Sequence, residues 1–180
     1  MKLLLEALRP NPAYVVNRTM DVLACNPSCL RLFAGLDEWP AKKRNFVRYL
    51  FLHPQAPKLF DRWDEQILVC PGRLRALAGT APKTPDLVPL VDELLLNSRE
   101  FTRLWERYDV KPHAHGRKTF HHPDVGDLTL GYQSLPLEGT PGHRLVAYYA
   151  GPQTSERDAM VLLDRPTDPH NSQSPAGHHR

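Results

Sequence analysis

The stretch Ala13-Tyr14-Val15-Val16-Asn17-Arg18-Thr19-Met20-Asp21-Val22-Leu23-Ala24-Cys25-Asn26-Pro27 carries the first decision about the fold. Two apolar runs, 13–16 and 21–25, are joined by the short polar connector Asn17-Arg18-Thr19-Met20, and that arrangement predicts a β-hairpin. Asn26-Pro27 follows at once. An Asn side chain accepts from an orphan backbone N–H at a helix start, and Pro suits the first helical position. Cys29, Leu30, Leu32 and Phe33 then fall on one helical stripe, and Gly35 closes the short helix. Residues 13–35 are therefore expected to run strand, turn, strand, helix.

Upstream, residues 1–9 read as the last turns of a helix, stopped by Arg9-Pro10 and Asn11-Pro12, because the residue before proline is pushed out of the helical region. Downstream, Asn45 to Arg75 is mainly helical in spacing, with a break at His53-Pro54. Cys70-Pro71-Gly72 is expected to kink or end the second of these helices, since an interior proline costs about 3 kcal/mol. Leu87, Leu90, Val91, Leu94 and Leu95 form one further amphipathic helix, and Phe101, Leu104, Trp105 and Tyr108 another. The last third turns to strands at 118–121, 128–132 and 144–150, with a short closing helix at 155–163. Strands at both ends of the chain can share one sheet with the helix block laid over it. The expected class is α+β, with a PAS-like antiparallel β-sheet and helices packed over one face.

Composition narrows the function. The 180 residues carry 23 basic and 20 acidic side chains, a net charge of +3 with both signs interspersed. A DNA-binding domain concentrates its cations, because phosphate neutralisation supplies much of its affinity. Here only Lys42-Lys43-Arg44 and Arg117-Lys118 cluster, and both read as solvated loops. The opening Met1-Lys2-Leu3-Leu4-Leu5 is broken by Glu6 and Arg9 before it reaches signal-peptide length. No apolar run is long enough for membrane insertion. Three cysteines without a CxxC spacing, Cys25, Cys29 and Cys70, suit free thiols in a reducing cytoplasm.

Catalytic sets are missing from the pattern. Ser28 and Ser98 stand at helix-cap positions, and no nucleophile elbow or phosphate-cradling loop occurs. His113-Ala114-His115 and His121-His122 invite a metal reading, but adjacent strand residues point to opposite faces and chelate poorly together. The expectation is a non-enzyme with no metal and no cofactor. An apolar pocket suits the residues better. Tyr14 and Val16 share a face of the first strand, Leu23 and Cys25 a face of the second, and Leu145, Ala147 and Tyr149 a face of the last. Phe46, Leu50, Trp63 and Trp105 would cover them from the helices. Asn26 and Arg48 are the candidate polar anchors, because a buried carboxylate needs a donor. Each also has an ordinary role open to it, Asn26 as a helix cap and Arg48 as a surface charge. The ligand-binding set is thus Tyr14, Val16, Leu23, Asn26, Arg48, Leu50, Trp63, Trp105 and Ala147.

Several segments together resemble the ligand-binding domain of MmyB-like transcription regulators. They include Pro12-Ala13-Tyr14-Val15-Val16, Asn45-Phe46-Val47-Arg48-Tyr49-Leu50-Phe51, Leu90-Val91-Asp92-Glu93-Leu94 and Ser98-Arg99-Glu100-Phe101-Thr102-Arg103-Leu104-Trp105. The run His122-Pro123-Asp124-Val125-Gly126-Asp127-Leu128-Thr129-Leu130 belongs with them, and so does Leu145-Val146-Ala147-Tyr148. In family order the resemblance covers roughly residues 5–163. It implies a PAS-like module that holds a fatty-acid-like ligand behind an Xre-type helix-turn-helix domain, mostly in actinomycetes. The chain departs from the family at Cys70-Pro71-Gly72 and in the order Gly151-Pro152. The expected organisation is a linker-helix end at 1–9, the ligand-binding domain at 10–165 and a disordered tail at 166–180. The expected function is a cytoplasmic sensor, a homodimer that reaches DNA only through a helix-turn-helix domain outside this chain. The alternative is a dimerisation module with a filled core and no small ligand.

Overall fold

The computed structural model describes residues 1–107 and 115–165. The expected tail at 166–180 and the histidine at 113 lie outside them. Strands β1 (Ala13–Val16) and β2 (Val22–Cys25) form the expected hairpin, with Tyr14 opposite Cys25 and a bulge between Val15 and Val16. Helices α1 (Lys2–Ala7) and α2 (Pro27–Leu32) flank it. The chain then continues through α3 (Phe46–Leu52), α4 (Ala56–Leu59), α5 (Trp63–Thr80), α6 (Leu87–Asn97) and α7 (Arg99–Trp105). It returns as β3 (His115–His122), β4 (Gly126–Pro136) and β5 (Arg144–Tyr149), and ends in α8 (Ser155–Asp164). The five strands make one antiparallel sheet in the order β2-β1-β5-β4-β3. The protein is an α+β fold. The first hairpin pairs with the last strand, so the sheet joins the two ends of the chain.

The connector of the first hairpin is held by side chains. Asn17 Oδ1 accepts from the backbone N–H of Thr19 and of Asp21, an Asx-type turn. Asp21 in turn accepts from Asn17 at 2.8 Å, from the Thr19 hydroxyl at 2.6 Å and from Asn45 Nδ2 at 2.8 Å. Asn45 also caps α3, accepting from the N–H of Arg48. One carboxylate thereby ties the hairpin to the first helix of the block. Burial alone would raise its pKa, but the bonds from Thr19, Asn45 and Asn17, aided by the Arg48 charge, outweigh burial and hold it below the ordinary value. A depressed folded-state pKa contributes stability above the unfolded value of about 3.9, which is lost as pH falls through the folded value. We expect wild type to lose more stability than Asp21→Asn between pH 6 and pH 3, measured as urea midpoints. Parallel losses would show that the carboxylate contributes nothing by ionising.

Helix α5 continues past its proline. It runs from Trp63 to Thr80 through Pro71, so the helix does not end there. Ile67, Cys70, Leu74 and Leu77 recur at helical spacing and are all buried, so packing along this stripe offsets the single backbone bond that Pro71 cannot make.

The inner face of the sheet carries the main core. Tyr14, Val16, Phe120, Leu128, Leu130, Val146 and Tyr148 meet Phe33, Phe46, Tyr49, Phe60 and Met160 from the helices. A second cluster joins α3, α5, α6 and α7 through Val47, Leu74, Leu90, Leu94 and Phe101. One helix departs from the one-sided layout. α1 lies on the outer face, where Leu5 is buried in a cluster with Ala13 and Val15, against which Leu145 and Ala147 pack. Its end is fixed by Arg9, whose Nε donates to Asp164 Oδ1 at 2.8 Å, so α1 is joined to the end of α8.

Candidate ligand cavity between the sheet and α5

A cavity of about 790 Å³ opens between the inner face of the sheet and the middle of α5. Tyr14 and Val16 of β1, Val146 and Tyr148 of β5 and Tyr132 of β4 form its floor. Phe46, Val47 and Leu50 of α3 wall one side with Met20, and Leu68, Val69 and Cys70 of α5 form the roof. The turn register explains the floor. Tyr14 stands opposite Val146, and Tyr148 opposite Tyr132, so these side chains rise from the same face of three neighbouring strands.

Four basic side chains also line the cavity. Lys118 of β3, Arg73 of α5 and Arg144 of β5 all border it, and Arg117 stands at its rim. The Lys118 ammonium lies 4.9 Å from the Tyr132 ring centroid and 5.9 Å from that of Phe60. Its half-buried side chain is enclosed closely enough that desolvation lowers its pKa to about 8, against a small opposing effect of Cys70. Arg73 keeps much of its surface open where it borders the cavity. Surrounding protein nevertheless lowers its basicity, and the nearby Arg144 charge lowers it further. Arg144 is held by Ser134, donating from Nε to the hydroxyl at 2.7 Å and from Nη2 to the carbonyl at 3.0 Å. Cys70, also in the lining, has its thiol pushed up to about 11 by burial, with Lys118 and Arg73 pulling the other way.

The nine residues singled out from sequence fall in different places. Tyr14, Val16 and Leu50 line the cavity together. Trp63 stands behind the wall, donating from Nε1 to the Leu50 carbonyl at 2.8 Å. Trp105 belongs to the second cluster, stacked on Phe101 with ring centroids 5.4 Å apart. Leu23 is half exposed on β2. Ala147 sits on the outer face with Leu5, because Val146 and Tyr148 are the β5 residues in register with the floor.

Neither proposed anchor reaches the cavity. Asn26 is fully buried and every hydrogen-bonding site it has is engaged with backbone. Its Oδ1 accepts from Ala13 N at 3.1 Å and Cys29 N at 3.0 Å, and Nδ2 donates to the Leu5 and Asn11 carbonyls at 3.0 and 2.9 Å. Arg48 makes a forked bond to Glu93, with Nη2 to Oε2 at 2.7 Å, and so joins α3 to α6. The cations that do border the cavity were missed because Arg117-Lys118 reads as a solvated pair. The available signal was alternation: Lys118 shares a strand face with Phe120, and an apolar partner two residues on marks that face as inward.

The other candidate groups have structural roles. Ser98 caps α7, accepting from Phe101 N at 3.1 Å, and the Ser28 hydroxyl bonds Asp164. His121 and His122 do point apart. His121 bonds Asp127 and Asp61 at the surface, and the buried His122 places Nε2 2.8 Å from the Arg31 carbonyl. Among the described residues no three or more His, Cys, Asp or Glu side chains converge as a metal site. Nor is any helix among them long and apolar enough to cross a membrane.

An α+β domain with a largely aromatic and aliphatic cavity over its sheet has the make-up of a ligand-binding module. Residues 1–163 match the family described as MmyB-like transcription regulator ligand binding domain, and the chain belongs to that family. It is a ligand-binding regulatory domain of a transcription regulator. No curated protein gave a match.

Proposed function

We propose that this domain is a PAS-like sensor that takes a fatty-acid-like ligand into the cavity beneath α5 and so controls an attached or partner helix-turn-helix domain. The observation that carries this reading is the cavity itself. Its volume of about 790 Å³ falls within the range of about 300–1,000 Å³ usual for small-ligand sites, and its walls are largely aromatic and aliphatic. A ligand there would touch elements that include α3, α5 and up to four strands at once. It can therefore favour one arrangement of the helices over another, as a regulatory ligand must. The joint between Arg9 and Asp164 offers a way out of the core towards α1, the helix that would lead to an N-terminal DNA-binding domain.

The test is native mass spectrometry of the purified protein, followed by a panel of medium and long-chain fatty acids. A stoichiometric lipid mass is expected, or a rise in stability on adding the acids of about 2.7 kcal/mol at a hundredfold excess over Kd. Leu50→Trp, which fills the cavity beside Tyr14, should abolish that gain. If no acid binds or stabilises the protein, the reading is wrong. The homodimer expected from sequence is checked in the same spectra, and a dimer indifferent to every lipid would favour the dimerisation reading.

A further inference from the structure

The floor of the cavity is a row of rings that crosses the sheet and ends on a lysine. Between ring centroids, Tyr14 of β1 lies 6.4 Å from Tyr148 of β5, and Tyr148 lies 5.9 Å from Tyr132 of β4. The Lys118 ammonium of β3 then stands 4.9 Å from the Tyr132 centroid and 5.9 Å from that of Phe60. At the other end Phe46 of α3 lies 4.2 Å from Tyr14, with Val47 and Leu50 of the same helix in the lining. The strands run in the order β1-β5-β4-β3, so the lysine and α3 mark opposite ends of this row. Lys118 also differs from the other basic residues of the lining. Arg73 and Arg117 are exposed, and Arg144 is held by Ser134. Lys118 is half-buried, and among the described residues it has neither a carboxylate partner nor a hydrogen bond; its ammonium meets the two rings instead. Ring faces attract a cation but leave its three N–H donors without an acceptor.

We propose that Lys118 is the residue that binds the ligand's headgroup, holding a single carboxylate at the β3–β4 end of the cavity while the alkyl chain runs over Tyr148 and Tyr14 towards Leu50 and Val47. This rests on the fatty-acid reading above and adds the anchoring residue and the direction of the chain. An ammonium and a carboxylate form a charge-assisted hydrogen bond, roughly twice as strong as a neutral one. An alcohol of the same length offers the same apolar contacts without the charge, so the anchor alone sets the preference for the acid. The lowered basicity of Lys118 agrees with a cation that lacks a counter-charge, and a bound carboxylate would raise it again.

The experiment compares dodecanoate with dodecanol on the full chain by isothermal titration calorimetry, below the micelle concentration of the acid, in steps from pH 7 to pH 9.5. At pH 7 the acid should bind at least about tenfold more tightly, a difference that one charge-assisted bond supports. The advantage should shrink as pH rises above about 8, where the free protein's Lys118 gives up its proton. An arginine anchor gives no such decline, since a guanidinium stays charged. Cys70, its thiol at about 11, and Tyr132, raised by burial, stay neutral over the same range. Lys118→Met should close most of the gap between acid and alcohol and leave alcohol binding unchanged, which shows that the variant is folded. Arg144→Gln should leave the gap in place. If Lys118→Met loses the alcohol as well, the pH series of the wild type decides. Equal binding of acid and alcohol, a gap undiminished at pH 9.5 or in a folded Lys118→Met, or a gap closed by Arg144→Gln instead overturns the anchor and leaves the lipid-sensor reading standing. If neither ligand binds, both readings fall together.

Discussion

Phe33→Ala should destabilise the protein by about 3–5 kcal/mol, the range for emptying a large aromatic site in a core. Phe33 is 1% exposed and closes the end of α2, where it is the hub of the aromatic core. Six other rings lie with centroids 4.7–6.2 Å from its own: Tyr14, Phe46, Tyr49, Phe60, Phe120 and Tyr148. They come from β1, α3, β3 and β5 and from the end of α4, so no single segment can move in to fill the space. Most of the contacts are edge-to-face, an arrangement that favours rings beyond the area they bury. Urea denaturation should show the midpoint falling with little change in slope. A loss under 1 kcal/mol would mean that the neighbouring rings collapse onto the vacated site and that the core is less tightly specified than the packing indicates. Phe33→Leu should cost less than Ala, since most of the volume remains.

Asn26→Ala should cost a similar amount, about 3–5 kcal/mol, for a different reason. In one step the Ala13 and Cys29 N–H groups would lose an acceptor and the Leu5 and Asn11 carbonyls a donor, although Cys29 N–H keeps a bond to the Asn26 carbonyl and the Leu5 carbonyl keeps one from Leu8 N–H. Each orphaned buried group costs about 1–3 kcal/mol, and rearrangement or entering water would keep the total below a simple sum. Asn26→Asp separates the halves. The carboxylate can still accept from Ala13 and Cys29 but cannot donate to Leu5 and Asn11, so the damage should fall on the attachment of α1. Amide exchange would then show α1 and the 8–12 segment losing protection before the sheet does. If both variants unfold as wild type does, the four bonds are worth no more than their exchange with water.

The local grammar of the chain was legible early. The 13–35 segment reads as hairpin, Asn cap and helix because each signal there is short-range. The Asn26 oxygen is used three residues away on Cys29, and the connector is closed by Asn17 on Thr19 and Asp21. Helices α6 and α7 and strand β5 also follow from periodicity, and the break at His53-Pro54 falls where α3 ends. That α5 continues through Pro71 was not legible, because propensity counts the lost backbone bond and cannot count the buried stripe on the same helix. The residues that line the cavity were only partly legible. In β5 both alternating sets are apolar or aromatic, Leu145, Ala147 and Tyr149 against Val146 and Tyr148. Period two therefore leaves the inward set undecided, and the partner's register chooses it.

The sequence by itself determined the class of fold, the family, the capped hairpin that starts the sheet and the helix block that covers it. Those are carried by contacts within a few residues and by the spacing of apolar side chains. Only the tertiary structure decided that Asn26 and Arg48 serve the framework while Lys118, Arg73 and Arg144 surround the cavity. Positions 73, 118 and 144 lie far apart in the chain and on three different elements. That all three line one cavity depends on which strand pairs with which and on where α5 crosses the sheet. A charge alone in a sequence reads as solvated, and it takes the fold to show that three of them border one space.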